Sequence, residues 1–153
     1  MKIHLQHFAI VCAVVGMCAT ACKKKAADPE TDPTPATTGG TAVSGFTFTP
    51  NGGSATVADS AFYYQQYNTI HAYKNGNANH FEINLTSLAV ATYSIGSGNA
   101  LTYVMGSTYL GATGGQVNIT ANGSNKISGN FSTPLSGGSV TSVTGQFLDI
   151  PKK

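Results

Sequence analysis

From Val43 to Lys153 the chain is a succession of short alternating runs, each closed by a cluster of Gly, Asn or Ser. No stretch of it sustains a helical period. A side-chain period of two belongs to a strand with one buried face, and Gly/Asn/Ser clusters are turn chemistry. Nine runs carry the pattern: Phe46–Thr49, Ala55–Tyr64, Tyr67–Lys74, His80–Leu85, Ala91–Ile95, Leu101–Met105, Gln116–Ala121, Lys126–Leu135 and Val140–Ile150. Eight or nine strands predict an all-β domain over 44–153, an antiparallel β-sandwich or a small up-and-down barrel. A domain of this size can fold without staples.

Three hairpins can be put in register, because a one-residue slip would turn each apolar set outward. Matching Ile70 with Leu85 and Ala72 with Ile83 leaves Gly76-Asn77-Ala78-Asn79 as the loop. Val117, Ile119 and Ala121 match Ile127 and Phe131 only around an odd turn, a three-residue loop drawn from Asn122–Asn125. Pairing Phe131 with Val143 sets Ile127 opposite Phe147. Leu148 and Ile150 then fall on the wrong face, which demands a bulge, expected at Gly145.

Residues 1–21 read as an address. Lys2 precedes an uncharged, mostly apolar run from Phe8 to Ala21, shorter than the ~20 residues a spanning helix needs. It fits a cleaved secretory signal whose small-residue end is Ala19-Thr20-Ala21. All three Cys (Cys12, Cys18, Cys22) fall in the first 22 residues, so the mature chain keeps Cys22 alone and has no internal disulfide. Ala19-Thr20-Ala21-Cys22 resembles the lipobox of bacterial lipoproteins, with Ala19 where Leu is usual. The resemblance implies cleavage before Cys22 and lipidation of its thiol; plain secretion would cut the same bond. Several acyl chains anchor stably where one does not. Lys23-Lys24-Lys25 follows, and a Lys after Cys22 favours the outer membrane over inner-membrane retention. From there to Val43 the Ala/Thr/Pro/Gly composition is that of a disordered linker. The organisation is thus 1–21 signal peptide, 22–43 lipidated Cys and linker, and 44–153 one β domain.

Within that domain Gly115-Gln116-Val117-Asn118-Ile119-Thr120, Asn125-Lys126-Ile127-Ser128-Gly129-Asn130-Phe131-Ser132 and Gly145-Gln146-Phe147 follow one another around two hairpins. With the Cys-Lys-Lys start, this pattern resembles a family of small bacterial lipoproteins whose C-terminal β domain has no assigned function. The resemblance implies the lipoprotein address and the β fold, and carries over no catalytic or binding residue.

Composition narrows the chemistry. Eight Lys, no Arg and six acids leave a net charge of +2, which argues against a nucleic-acid partner, and no bidentate clamp for phosphate is present. The β domain holds three acids (Asp59, Glu82, Asp149), two His (His71, His80) and no Cys. Paired carboxylates for hydrolysis must sit ~5–9.5 Å apart, and nothing local brings two of these together. In the register above, His71 and His80 face solvent four positions apart, ~13 Å at 3.3 Å per residue, which is too far to share an ion. His80 and Glu82 would make half a site, and zinc wants three or four ligands. Neither a metal nor another cofactor is expected. Ser97 lacks the strand-to-helix elbow of a nucleophile. The Gly pairs are turns, since no helix follows them to form a phosphate cradle.

Two features remain. Phe62-Tyr63-Tyr64-Gln65-Gln66-Tyr67 is the best candidate binding surface, with Phe62 and Tyr64 on one face and Tyr63 on the other; packing at a sheet edge is the plainer reading. Asp59-Ser60-Ala61 resembles a three-residue bacterial O-glycosylation signal, making Ser60 a candidate site. The sum predicts a lipid-anchored cell-envelope β module, binding or structural rather than enzymatic. Its partners are the membrane, through the lipid, and a protein or glycan left open. The alternatives are a lipocalin-like carrier of a small apolar ligand and an envelope or glycan hydrolase acting through Asp59, Glu82 or Asp149.

Overall fold

Thr, Val, Tyr and Phe crowd the alternating runs, and those runs become strands in the computed structural model, which describes residues 44–153. The signal peptide, the lipidated Cys22 and the linker expected over 1–43 lie outside the described residues. In chain order the strands are β1 (Gly45–Pro50), β2 (Thr56–Val57), β3 (Ser60–Tyr64), β4 (Thr69–Lys74), β5 (Asn79–Asn84), β6 (Ala91–Ser94), β7 (Ala100–Met105), β8 (Thr108–Ala112), β9 (Gln116–Gly123), β10 (Lys126–Ser136) and β11 (Ser142–Pro151). A 3₁₀ turn, Gln65–Tyr67, joins β3 to β4. The domain is all-β and its strand pairs are antiparallel.

Eleven strands replace the eight or nine expected. The run Ala55–Tyr64 divides at Ala58-Asp59, where the Ala58 N–H donates to the Phe46 carbonyl and the Asp59 N–H to the Tyr73 carbonyl. Its two halves thereby serve different neighbours, β2 on β1 and β3 on β4. Strand β8 escaped the pattern because only Leu110 is buried in it and Gly111 reads as a turn residue.

The hydrogen-bonded order is β2-β1-β11-β10-β8-β7-β5-β4-β3, with β9 on β10 and β6 on β9. Strand β10 makes the sheet curl. Its first part lies between β9 and β11, while Leu135 and Ser136 pair with Ala112 and Gly111 of β8. The β3 edge closes onto the end of β11, beyond its pairing with β1, at Tyr63, which bridges Lys152 in parallel and accepts the Lys153 N–H at 2.9 Å. Inside the curl, Phe46 and Phe48 of β1 meet Phe81 of β5 at ring-centroid distances of 5.2 and 4.8 Å. Phe81 in turn stacks on Tyr103 of β7 at 4.2 Å. The apolar recess between Phe48, Ala72, Phe81 and Tyr103 leaves no room for a water molecule.

Each predicted hairpin changes its pairing, and all keep their faces except at Ala121, expected inward with Val117 and Ile119 but turned outward by the bulge beside it. In β4–β5, Ile70 lies opposite Ile83 and Ala72 opposite Phe81, two residues from the expected match, around the loop Asn75–Ala78. In β9–β10 the loop is only Ser124-Asn125, both at positive φ (51° and 59°) as a tight primed turn requires. The odd residue sits instead in a bulge beside Ser128/Gly129, so a defect in the ladder replaces the odd loop. In β10–β11, Phe131 pairs with Gly145 and Thr133 with Val143. The bulge falls at Asp149 (φ 51°), not Gly145, and turns Ile150 back into the core. The Ser128 hydroxyl accepts the Asp149 N–H there at 2.9 Å.

Candidate functional site

Alternation decides which rings of the β3 segment reach the surface. Tyr63 points inward and is 1% exposed, while Phe62 and Tyr64 stand half-buried on the outside. The 3₁₀ turn then carries Tyr67 into solvent, 66% exposed, before Asn68 at φ 52° reverses the chain into β4. On β4 the same alternation turns His71 and Tyr73 outward, and on β5 it turns His80 and Glu82 outward.

Pairing aligns these side chains in rows across three strands. Phe62, His71 and Glu82 form one row; Ser60, Tyr73 and His80 form the next. The rings make one connected face. Phe62 lies 5.7 Å from His71 and 5.8 Å from Tyr73, both stacked. His71 and Tyr73 are nearly coplanar in tilt, 5° apart at 6.1 Å, and Tyr73 stacks on His80 at 5.7 Å. Tyr64 meets Phe62, His71 and Tyr67 edge-on at 5.4, 5.7 and 6.1 Å.

The end of this face is positively charged. Lys153 places its Nζ 4.3 Å above the Phe62 ring, a cation–π contact held in place by its own N–H bond to Tyr63. Beside it Tyr64, Gln65, Gln66, Lys152 and Lys153 line an open recess of about 520 Å³. A second recess of about 300 Å³ lies on the other half, against Thr47, Thr49, Ala55, Asn130, Thr144, Gly145 and Gln146, and presents no ring and no titratable group.

The two-residue change of register overturns the separation expected for the histidines. His71 sits directly opposite Glu82, and His80 is its diagonal neighbour rather than four positions away. Burial lowers the His71 pKa below its ordinary value; the Glu82 charge opposes this, and His80 and Lys153 add to it. Its Nδ1 lies 3.4 Å from the Tyr73 hydroxyl. Glu82 accepts a 2.8 Å bond from the Asn84 amide. Among the described residues no group of three or more His, Cys, Asp or Glu is arranged to hold a metal ion.

The other candidates are scattered. Asp59 binds Lys74 at 2.7 Å and the Asn75 N–H at 2.6 Å, and these bonds hold its carboxyl below the usual carboxylate value. Asp149 faces Lys126 at 3.6 Å in the β11 bulge. The three carboxylates of the domain thus serve three different local structures. Ser60 is exposed at the start of β3, and Ser97 (φ 47°) occupies a turn between Gly96 and Asn99.

Sequence reasoning offered the whole run Phe62–Tyr67, of which Tyr63 is buried in the core, and did not join it to His71, Tyr73, His80 or the lysines. The outward phase of β4 and β5 was legible; which residues it lined up with Phe62 depended on the pairing. Comparison of the chain with protein-family models, curated proteins and solved structures finds no match.

Proposed function

We propose that this chain is a lipid-anchored module of the bacterial cell envelope, tethered to the outer membrane through Cys22, that works by binding through the ring face of β3, β4 and β5. The supporting observation is the continuity of that face. Phe62, Tyr64, Tyr67, His71, Tyr73 and His80 are linked ring to ring in one connected cluster, and all but Tyr67 stand on paired strands. A surface already ordered by its fold loses little side-chain entropy on binding. Tyr and His add hydroxyl and ring nitrogens to apolar area, the mixture suited to recognition. The anchoring half of the reading rests on Ala19-Thr20-Ala21-Cys22 and the lysines that follow.

The test is labelling with palmitate together with photo-crosslinking in cells. Label is expected on the wild type and not on Cys22→Ala. A photo-crosslinking residue at Tyr67 should trap an envelope component, and the same residue at the exposed Thr144 of the other half should not. Absence of label in both chains sinks the anchor. Equal trapping at both positions, or at neither, sinks the binding face.

A further inference from the structure

We infer that the recess beside Tyr64 is a subsite for an acidic glycan, with sugar rings lying on Tyr64 and Tyr67 and a sugar carboxylate held by Lys152 and Lys153. This rests on the binding reading above and names its ligand class.

Charge complementarity carries the inference. Among the described residues, Lys74 and Lys126 each have a carboxylate within 4.0 Å, whereas Lys152 and Lys153 have none. Both lysines line the recess. Lys153 is pinned twice, by its main-chain bond to Tyr63 and by its ammonium over Phe62, so its charge is positioned before any ligand arrives. An ammonium lying between a ring face and a carboxylate satisfies both neighbours. The acid on the ring face, Glu82, lies in the row of His71 and is already bonded to Asn84.

The rest of the lining selects among anions. Gln65 and Gln66 are exposed beside the lysines, and an amide offers donors and an acceptor, as a row of hydroxyls demands. The negative face of a Tyr ring attracts the weakly positive C–H face of a pyranose. A bilayer would instead favour projecting aliphatic groups, and Val57 and Val90, the large exposed aliphatic side chains among the described residues, line neither the recess nor the ring rows. A single-stranded nucleic acid also combines stacking with negative charge, but such grooves track the backbone with cations along their length. Here the two free lysines sit at one end.

The experiment is affinity electrophoresis of the full mature chain, extracted in neutral detergent, through gels containing polygalacturonate or uncharged dextran. Retardation by polygalacturonate and not by dextran is expected. Tyr67→Ala and the double variant Lys152→Gln/Lys153→Gln should each weaken it by about tenfold or more, the worth of one stacking or charged contact. Both changes lie on exposed side chains, and a thermal melt matching the wild type establishes that the variants are folded. Three results overturn the inference. They are no retardation by polygalacturonate, loss in the lysine variant with Tyr67→Ala unchanged, or stronger retardation by oligothymidylate than by polygalacturonate. If polygalacturonate fails while position 67 still crosslinks in cells, the ligand class is wrong and the binding face stands. If both fail, the binding face falls too.

Discussion

The ring of Phe131 lies over Gly145, its register partner on the next strand, so closely that a Cβ there would meet the ring's Cζ at 2.2 Å. The relationship is reciprocal. Phe147 of β11 covers Gly129 of β10, where a Cβ would meet that ring at 2.5 Å and the Asn118 carbonyl at 2.3 Å. Each Gly-x-Phe unit thus supplies a ring to the other strand's glycine, and both rings continue into Phe46 at 5.3 and 6.3 Å.

Adding one methyl to either glycine should therefore be costly. Gly145→Ala and Gly129→Ala are expected to lose about 2–4 kcal/mol each, since overpacking alone costs 1–3 and here backbone oxygens also block relief. Gly111→Ala, with nothing within 4 Å of its Cβ, should be neutral or stabilising by up to about 1 kcal/mol. Urea unfolding of the three variants checks the order.

The bulge at Asp149 makes a second prediction. Ser128→Ala removes the acceptor for the Asp149 N–H and should cost about 1–2 kcal/mol, the penalty of an unmet donor. Asp149→Gly should cost less than Asp149→Val, because φ 51° suits glycine and strains a β-branched residue. Thermal melts of the three variants give both comparisons.

Thr133 makes a third. It is 2% exposed, and its hydroxyl has no hydrogen-bond partner among the described residues. Thr133→Val keeps the shape and removes the unmet group, so it should stabilise by about 1 kcal/mol. A raised urea midpoint at unchanged slope is the expected result.

His71 supplies the pH dependence. Its folded pKa is depressed below the ordinary 6.5, chiefly by burial, so the unfolded chain binds the proton more readily. Its contribution to stability is whole above pH 6.5 and is lost as pH falls through that value toward the folded pKa. Wild type should lose stability over this window, and His71→Gln should flatten the slope. NMR titration of the ring should place its midpoint below that of free histidine.

Much of this was readable before any coordinates. Alternation correctly separated Tyr63 from Phe62 and Tyr64, leaving open which side was buried, and it assigned the faces of Ile70, Ala72 and Ile83. What alternation cannot supply is the phase of pairing: a two-residue slip leaves every face unchanged while moving Glu82 from beyond His71 to directly opposite it. The Gly-x-Phe units were visible as a motif. Their meaning required knowing that β10 and β11 run antiparallel with those units in register. Strand β8 was hidden because Gly111 mimics a turn, and Lys152 and Lys153 became interesting only once the segment after β11 was seen against β3.

Strand β10 gives its first part to β9 and β11 and its last two residues to β8. Neither half of the curled sheet can detach without tearing this shared member. The molecule should therefore melt as one cooperative unit, with calorimetric and van't Hoff enthalpies in agreement. It should also fold slowly, since closure at Tyr63 and Lys152 joins residues far apart along the chain.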